Sequence, residues 1–199
     1  MTIVYLMRHS EPFKPTYIEK ESLQVQNEKW ILSKQGEELA KKVSEKESWD
    51  FDIVYSSHYV RAISTAKYFS NKEIFIEKAF GERKFGIKEW QQLPSNFEKK
   101  QWENRKYKML DGECLQEVQE REIKALTKIL HENKNKKVLI VGHATALMAL
   151  LSTWCEVDEK GNIYFKGKKV KQGLWDYCEM IKLIFNENNE LIEISQMKS

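Results

Sequence analysis

A three-layer α/β/α sandwich around a mostly parallel central sheet is the fold this 199-residue sequence predicts. Three observations carry the expectation. Four short apolar runs, at 2–7, 51–57, 73–78 and 136–143, read as buried strands. Segments with helical spacing separate them. Three of the four runs end in conspicuous polar residues, and in such sheets the chemistry gathers at the carboxyl ends of the strands.

Taken in order, "MTIVYLMRHSEP" runs Ile3, Val4, Tyr5 and Leu6 straight into Arg8 and His9, then stops at Ser10-Glu11-Pro12. "SKQGEELAKKVSE" (33–45) sets Leu39 and Val43 four apart, the spacing of one helix face. "FDIVYSS" (51–57) is the second strand, ending at Ser56-Ser57-His58. The helix expected at 59–69 brings Val60, Ile63, Ala66 and Tyr68 onto neighbouring turns and Arg61 into its first turn. "EIFIEK" (73–78) gives the third strand.

Residues 82–112 break the alternation. Phe85, Trp90, Phe97, Trp102 and Tyr107 recur among eight Lys or Arg at intervals that fit neither a clean helix nor a strand. A short cap or insertion over the C-terminal strand edge accounts for this, and so does a packed amphipathic helix. From Glu113 to about His131 the apolar face Leu115, Val118, Ile123, Leu126, Ile129 and Leu130 predicts a long helix. "KKVLIVGH" (136–143) is the fourth strand, and "HATALMALLSTW", apolar nearly all round, is a helix buried on most sides. "GNIYFKGKKV" and "LWDYCEMIKLIFNENNELIEI" read as strands joined by tight polar turns, with Asn188-Asn189 at a hairpin tip. With no repeat, low-complexity tract or linker, residues 1–199 read as one domain.

The formal charge is 33 − 30 = +3, too mild for a nucleic-acid partner yet compatible with a local basic site for a small anion. Cys114, Cys155 and Cys178 are far apart and form no C-x-x-C pair, which leaves isolated thiols in a reducing compartment. No signal peptide is recognisable, and no apolar run reaches the roughly 18 residues of a membrane span. A soluble cytoplasmic protein without a membrane partner is expected. Nothing in the patterning sets an oligomeric state.

The strand ends bring two histidines and two arginines to one sheet edge: Arg8 and His9, Arg61, and His143. Two guanidiniums make a planar donor clamp for a tetrahedral oxyanion such as phosphate. Helices starting after 57 and 143 add backbone donors. Close cations also keep an imidazole neutral and nucleophilic. The residues together read as a site that binds a phosphoryl group and presents a nitrogen nucleophile to it.

These residues resemble a known pattern. "LMRHSE", "LSKQGEELAKKV", "VYSSHYVRAISTAKYF", "GERKFGIKE", "DGECLQEVQER" and "VLIVGHATAL" are similar, in order, to six elements of the histidine phosphatase superfamily, the phosphoglycerate mutase-like fold. The resemblance implies that His9 is the phosphorylated nucleophile and that Arg8, Arg61 and His143 hold the phosphoryl oxygens; Ser10, beside them, either adds a phosphate contact or simply fits the turn. It implies that Glu82 protonates the leaving alkoxide and then activates water, carrying a proton in the first step; Glu89 is a rival for that role. Arg83 or Lys84 would instead tie Glu82 into a surface ion pair if it were merely structural. The chain departs from the pattern at Ser10, where the family usually has Gly or Ala, at Pro12 and Pro15, where it often has Thr and Asn, and at Trp90, which replaces a common glycine; these departures bear on the substrate more than on the chemistry.

The expected activity is metal-free hydrolysis of a small phosphorylated metabolite, with no cofactor. Competing readings are a mutase, a protein phosphohistidine phosphatase, and a module that binds phosphorylated ligands without turnover. "GNIYFKGKK" is one residue too long between its glycines for a phosphate-binding P-loop, and its lysines are expected on a solvent-facing hairpin.

Overall fold

The computed structural model describes residues 1–15, 21–158 and 160–197. In chain order the elements are β1 (Thr2–Arg8), α1 (Leu23–Lys29), α2 (Lys34–Ser44), β2 (Ile53–Ser56), α3 (Val60–Phe69), β3 (Ile74–Ile76), α4 (Phe97–Glu103), α5 (Leu115–Glu132), β4 (Lys137–Gly142), α6 (Ala144–Leu151), β5 (Glu156–Val157), β6 (Ile163–Phe165), β7 (Lys168–Lys171), β8 (Met180–Phe185) and β9 (Leu191–Gln196). Six strands form the central sheet in the order β3-β2-β4-β1-β8-β9. The β3–β2, β2–β4 and β4–β1 pairings are parallel, while β8 and β9 add an antiparallel hairpin. All four apolar runs are strands, and three of them meet at the centre.

Alternation along β4 explains the layering. Val138 and Ile140 face one way, into a core completed by Leu126 and Ile129 of α5 and Leu147 and Leu150 of α6. Leu139 and Val141 face the other, against Ala40 and Val43 of α2 and Ala62, Ala66 and Phe69 of α3. A strand buried on both faces reads as a continuous apolar run, which is why "VLIV" carries no alternation.

The helix α3 buries a different face from the one its apolar residues predict. Arg61, Ala62, Thr65, Ala66 and Phe69 are buried, whereas Val60 and Ile63 are only half-buried and Tyr68 is exposed. Small side chains let the helix lie close on the sheet, and Arg61 reaches a polar centre at its edge. The C-terminal third also divides differently. Residues β5, β6 and β7 make a separate three-stranded sheet, and 174–179 is a loop rather than the start of a strand. Lys166, Lys168 and Lys169 are exposed around the β6–β7 turn, as expected. Asn189 takes the left-handed conformation at the β8–β9 tip.

In 82–112 the irregular aromatics find one another. Phe85 meets Trp90 and Phe97, and Phe97 meets Tyr107, so they form a cluster in which no single helix or strand period applies. Among the described residues no helix is long and apolar enough to cross a membrane. The three cysteines are buried free thiols.

Candidate active site

Register places the strand ends side by side. Arg8 pairs with Gly142 and Ser56 with Val141, so the next residues of each strand, His9, Ser57 and His143, share one edge. The backbone continues the pattern: His9 N–H donates to the Gly142 carbonyl (3.0 Å) and Ser57 N–H to Val141 (2.9 Å).

His9 is 5 % exposed. Its Nδ1 lies 2.6 Å from the Ser10 carbonyl, a pure acceptor, so Nδ1 carries the proton. Nε2 is then left with the lone pair, and it accepts from Arg61 Nε at 3.0 Å. Burial, then the Arg61 charge, hold His9 well below its ordinary 6.5. The imidazole is neutral and the lone pair of Nε2 points at a guanidinium.

Arg61 is fixed from several sides. Its Nη1 donates to the Asn27 carbonyl of α1 (2.5 Å), and its guanidinium lies 4.6 Å from the Tyr59 ring centre. Burial pulls it down to about 10, which leaves it charged at neutral pH. His143 stands 4.9 Å from His9, ring to ring. One nitrogen, Nδ1, is 3.4 Å from Arg61 Nη2 and the other, Nε2, is 2.8 Å from Ser57 Oγ. With Nδ1 accepting, Nε2–H donates to the serine. Burial and Arg61 also push His143 well below 6.5.

Arg8 completes the cluster. Its guanidinium lies 4.0 Å over the Tyr177 ring, Nη1 donates to the Trp175 carbonyl, and its buried Nε has no hydrogen-bond partner among the described residues. Four basic side chains thus converge above one sheet edge, with a free arginine donor and a histidine lone pair among them.

A family model for the histidine phosphatase superfamily (branch 1) matches residues 4–188. The chain belongs to that superfamily. Solved structures agree on the fold. The chain is similar to Bacillus stearothermophilus YhfR (TM-score 0.73, 19% identity, 96% of this chain and 95% of that one covered). It is also similar to Entamoeba histolytica phosphoserine phosphatase in complex with 3-phosphoglyceric acid (0.69, 19%, 100% and 98%). A mycobacterial glucosyl-3-phosphoglycerate phosphatase gives 0.71 at 14% identity, covering 98% and 96%. A search of the curated proteins finds no significant match.

In this histidine phosphatase superfamily member, Ser10 is fully buried and its hydroxyl donates to the Gly36 carbonyl at 2.6 Å, while its N–H donates to Thr65 Oγ1 at 2.9 Å. The side chain therefore ties the loop after β1 to α2. Gly36 permits this approach, because a Cβ there would meet the Glu11 carbonyl oxygen at 2.1 Å.

Glu82 lines a cleft of about 330 Å³ with Tyr59, whose ring lies 4.4 Å from His143. Neither expected ion-pair partner takes it. Arg83 turns away to Glu98 (2.9 Å) beneath Phe85 and Phe97, and only its backbone N–H reaches Glu82 Oε1 (2.9 Å). The loop bearing Glu82 is clasped by Arg121, which donates to the Ala79 and Gly81 carbonyls while bound to Glu113 (2.9 Å). Glu89 is exposed and occupied in a reciprocal cap with Gln92, outside the cleft.

Several residues here were not singled out from the sequence. Tyr177 and Trp175 hold Arg8, Asn27 holds Arg61, and Ser57 and Tyr59 hold His143. Ser57 and Tyr59 sit inside recognisable stretches, but Asn27 acts through its carbonyl and Trp175 through its own, and a backbone carbonyl leaves no trace in residue identity.

Proposed function

We propose that the protein hydrolyses small phosphate monoesters through a phosphohistidine on His9. The observation that carries this reading is the forced tautomer: the Ser10 carbonyl fixes the proton on Nδ1, so the Nε2 lone pair is available in the midst of Arg8, Arg61 and His143. A tetrahedral anion would exchange Arg61's bond to His9 for bonds to its own oxygens. The orphaned Nε of Arg8 would donate to it from the other side.

In the first step Nε2 attacks phosphorus, the ester P–O bond breaks, and protonated Glu82 gives its proton to the departing oxygen. In the second, Glu82 takes a proton from water as the water oxygen attacks phosphorus, and the P–N bond breaks to release inorganic phosphate and neutral His9. Arg8 and Arg61 neutralise the charge on the transferring oxygens in both transition states. They supply the positive charge that a metal ion would otherwise bring, so turnover should survive EDTA. Glu82, rather than Glu89, is assigned the acid because it lines the cleft beside Tyr59 and His143.

Hydrolysis of p-nitrophenyl phosphate in EDTA by wild type and His9→Ala tests the proposal. Wild-type turnover that falls by on the order of 10³-fold or more in the variant is expected. Turnover that persists without His9 overturns it.

A further inference from the structure

The cleft beside Glu82 holds two lysines that chemistry at phosphorus does not use. Its charged lining residues are Glu28, Lys78, Glu82, Lys84, Glu113 and Arg121, with His58 beside them. Most are already committed. Arg121 and Glu113 bind each other at 2.9 Å, and Arg121 spends its remaining donors on the Ala79 and Gly81 carbonyls. Glu28 accepts from Gln24 Nε2 at 2.7 Å and lies 3.4 Å from His58 Nε2. The ammonium groups of Lys78 and Lys84 have no partner among the described residues.

These two lysines are held in place although their tips are free. The carbonyls of Ala79 and Gly81, next to and three residues past Lys78, are gripped by Arg121. Lys84 is fixed through its backbone, its N–H donating to Glu113 Oε2 (2.9 Å) and its carbonyl accepting from Glu113 N–H (2.8 Å). One ion pair therefore sets both lysines, one on each side of Glu82 along the chain. About 330 Å³ is room for a metabolite-sized group.

We propose that the leaving group carries its own negative charge, a carboxylate or a second phosphate a few atoms from the ester oxygen, and that Lys78 and Lys84 bind it. This rests on the phosphatase reading above. The reacting phosphate lies among Arg8, Arg61 and His9, the ester oxygen faces Glu82, and the far end of the leaving group extends into the cleft between the two free cations. Two ammonium groups that form no ion pair among the described residues favour an anion there and disfavour an amine.

Matched pairs of esters test it. The kcat/KM ratio of 3-phosphoglycerate to glycerol 3-phosphate compares a carboxylate with a hydroxymethyl group. The ratio of propane-1,3-diol bisphosphate to its monophosphate does the same for a second phosphate, and so separates the two anions. At least one ratio is expected to be about tenfold or more, since tenfold corresponds to about 1.4 kcal/mol. It should collapse toward one in Lys78→Gln/Lys84→Gln. Both ratios near one in wild type, a ratio unmoved by the double substitution, or a preference for phosphoethanolamine would overturn the proposal. Titration of His9→Ala with the same pairs reads the ratios as Kd, and decides the matter even if no ester is hydrolysed. If p-nitrophenyl phosphate is turned over but the pairs are not distinguished, the subsite fails and the phosphatase reading stands.

Discussion

Three buried titratable side chains set how this molecule responds to pH, and they pull in opposite directions. Burial, with Arg61 second, holds His9 and His143 well below 6.5. Below pH 6.5 the unfolded chain takes up protons that the folded one refuses, so stability falls on acidification through that range. Urea titrations should give a lower unfolding free energy at pH 5 than at pH 7. His9, by contrast, stays neutral there, and if it is the nucleophile as proposed, the acid limb of kcat/KM that it sets should lie well below 6.5. Glu122 works the other way. It is fully buried in α5, neither carboxylate oxygen has a partner among the described residues, and burial raises it well above 4.5. The folded state keeps this proton while the unfolded state loses it, so its contribution worsens as pH rises from 4.5. Glu122→Gln should therefore stabilise the protein, and by more at pH 8 than at pH 5. Tyr177 offers a third test. Tyr177→Leu removes the ring beneath Arg8 and should raise the inhibition constant of orthovanadate about 2- to 30-fold, the range of a cation–π contact, while Tyr177→Phe keeps most of the affinity.

Whole elements show what the sequence discloses and what it conceals. The central strands were legible because burial on both faces demands uninterrupted apolar runs, as in Val138–Val141, and no turn chemistry competes. Arg8, His9, Arg61 and His143 were legible for a related reason: polar residues at the ends of such runs have nowhere to go but the sheet edge. The buried face of α3 was legible only at Ala66, because Arg61 is buried for its polar contacts and Ala62 and Thr65 for close approach rather than hydrophobicity. Nor was α1 legible, a seven-residue helix with no strong period that holds Arg61 through the Asn27 carbonyl and lines the cleft with Gln24 and Glu28. Glu122 is buried because it stands four residues from both Val118 and Leu126, on the apolar face of α5. Between elements the tightest constraint is Gly36 of α2 against the loop after β1. Gly36→Ala must displace that loop and should cost about 1–3 kcal/mol of stability, the usual range for overpacking, as measured by chemical denaturation.

Across the whole molecule, the small sheet is joined to the site by one buried ion pair. Lys171 Nζ at the end of β7 lies 2.8 Å from Glu179 Oε2, with both side chains nearly inaccessible. The Glu179 carboxylate also accepts from Asp176 N–H (2.7 Å), and its carbonyl from Arg8 N–H (3.2 Å) and Trp175 Nε1 (2.9 Å). Lys171→Met strands that carboxylate and should cost about 3–5 kcal/mol, whereas Lys171→Met/Glu179→Leu should recover most of it. Calorimetric unfolding of the three variants separates the pair from its parts. The position of β1 reaches further. It is held on one flank by β4 and on the other by β8, so its neighbours arrive more than a hundred residues later in synthesis. A ribosome that has made His9 must still make residue 185 before the strand beneath it is enclosed. Contacts of such long range are slow to form. Until then the exposed strand is a target for chaperones rather than a working enzyme, and catalytic competence should appear only as the last hairpin emerges.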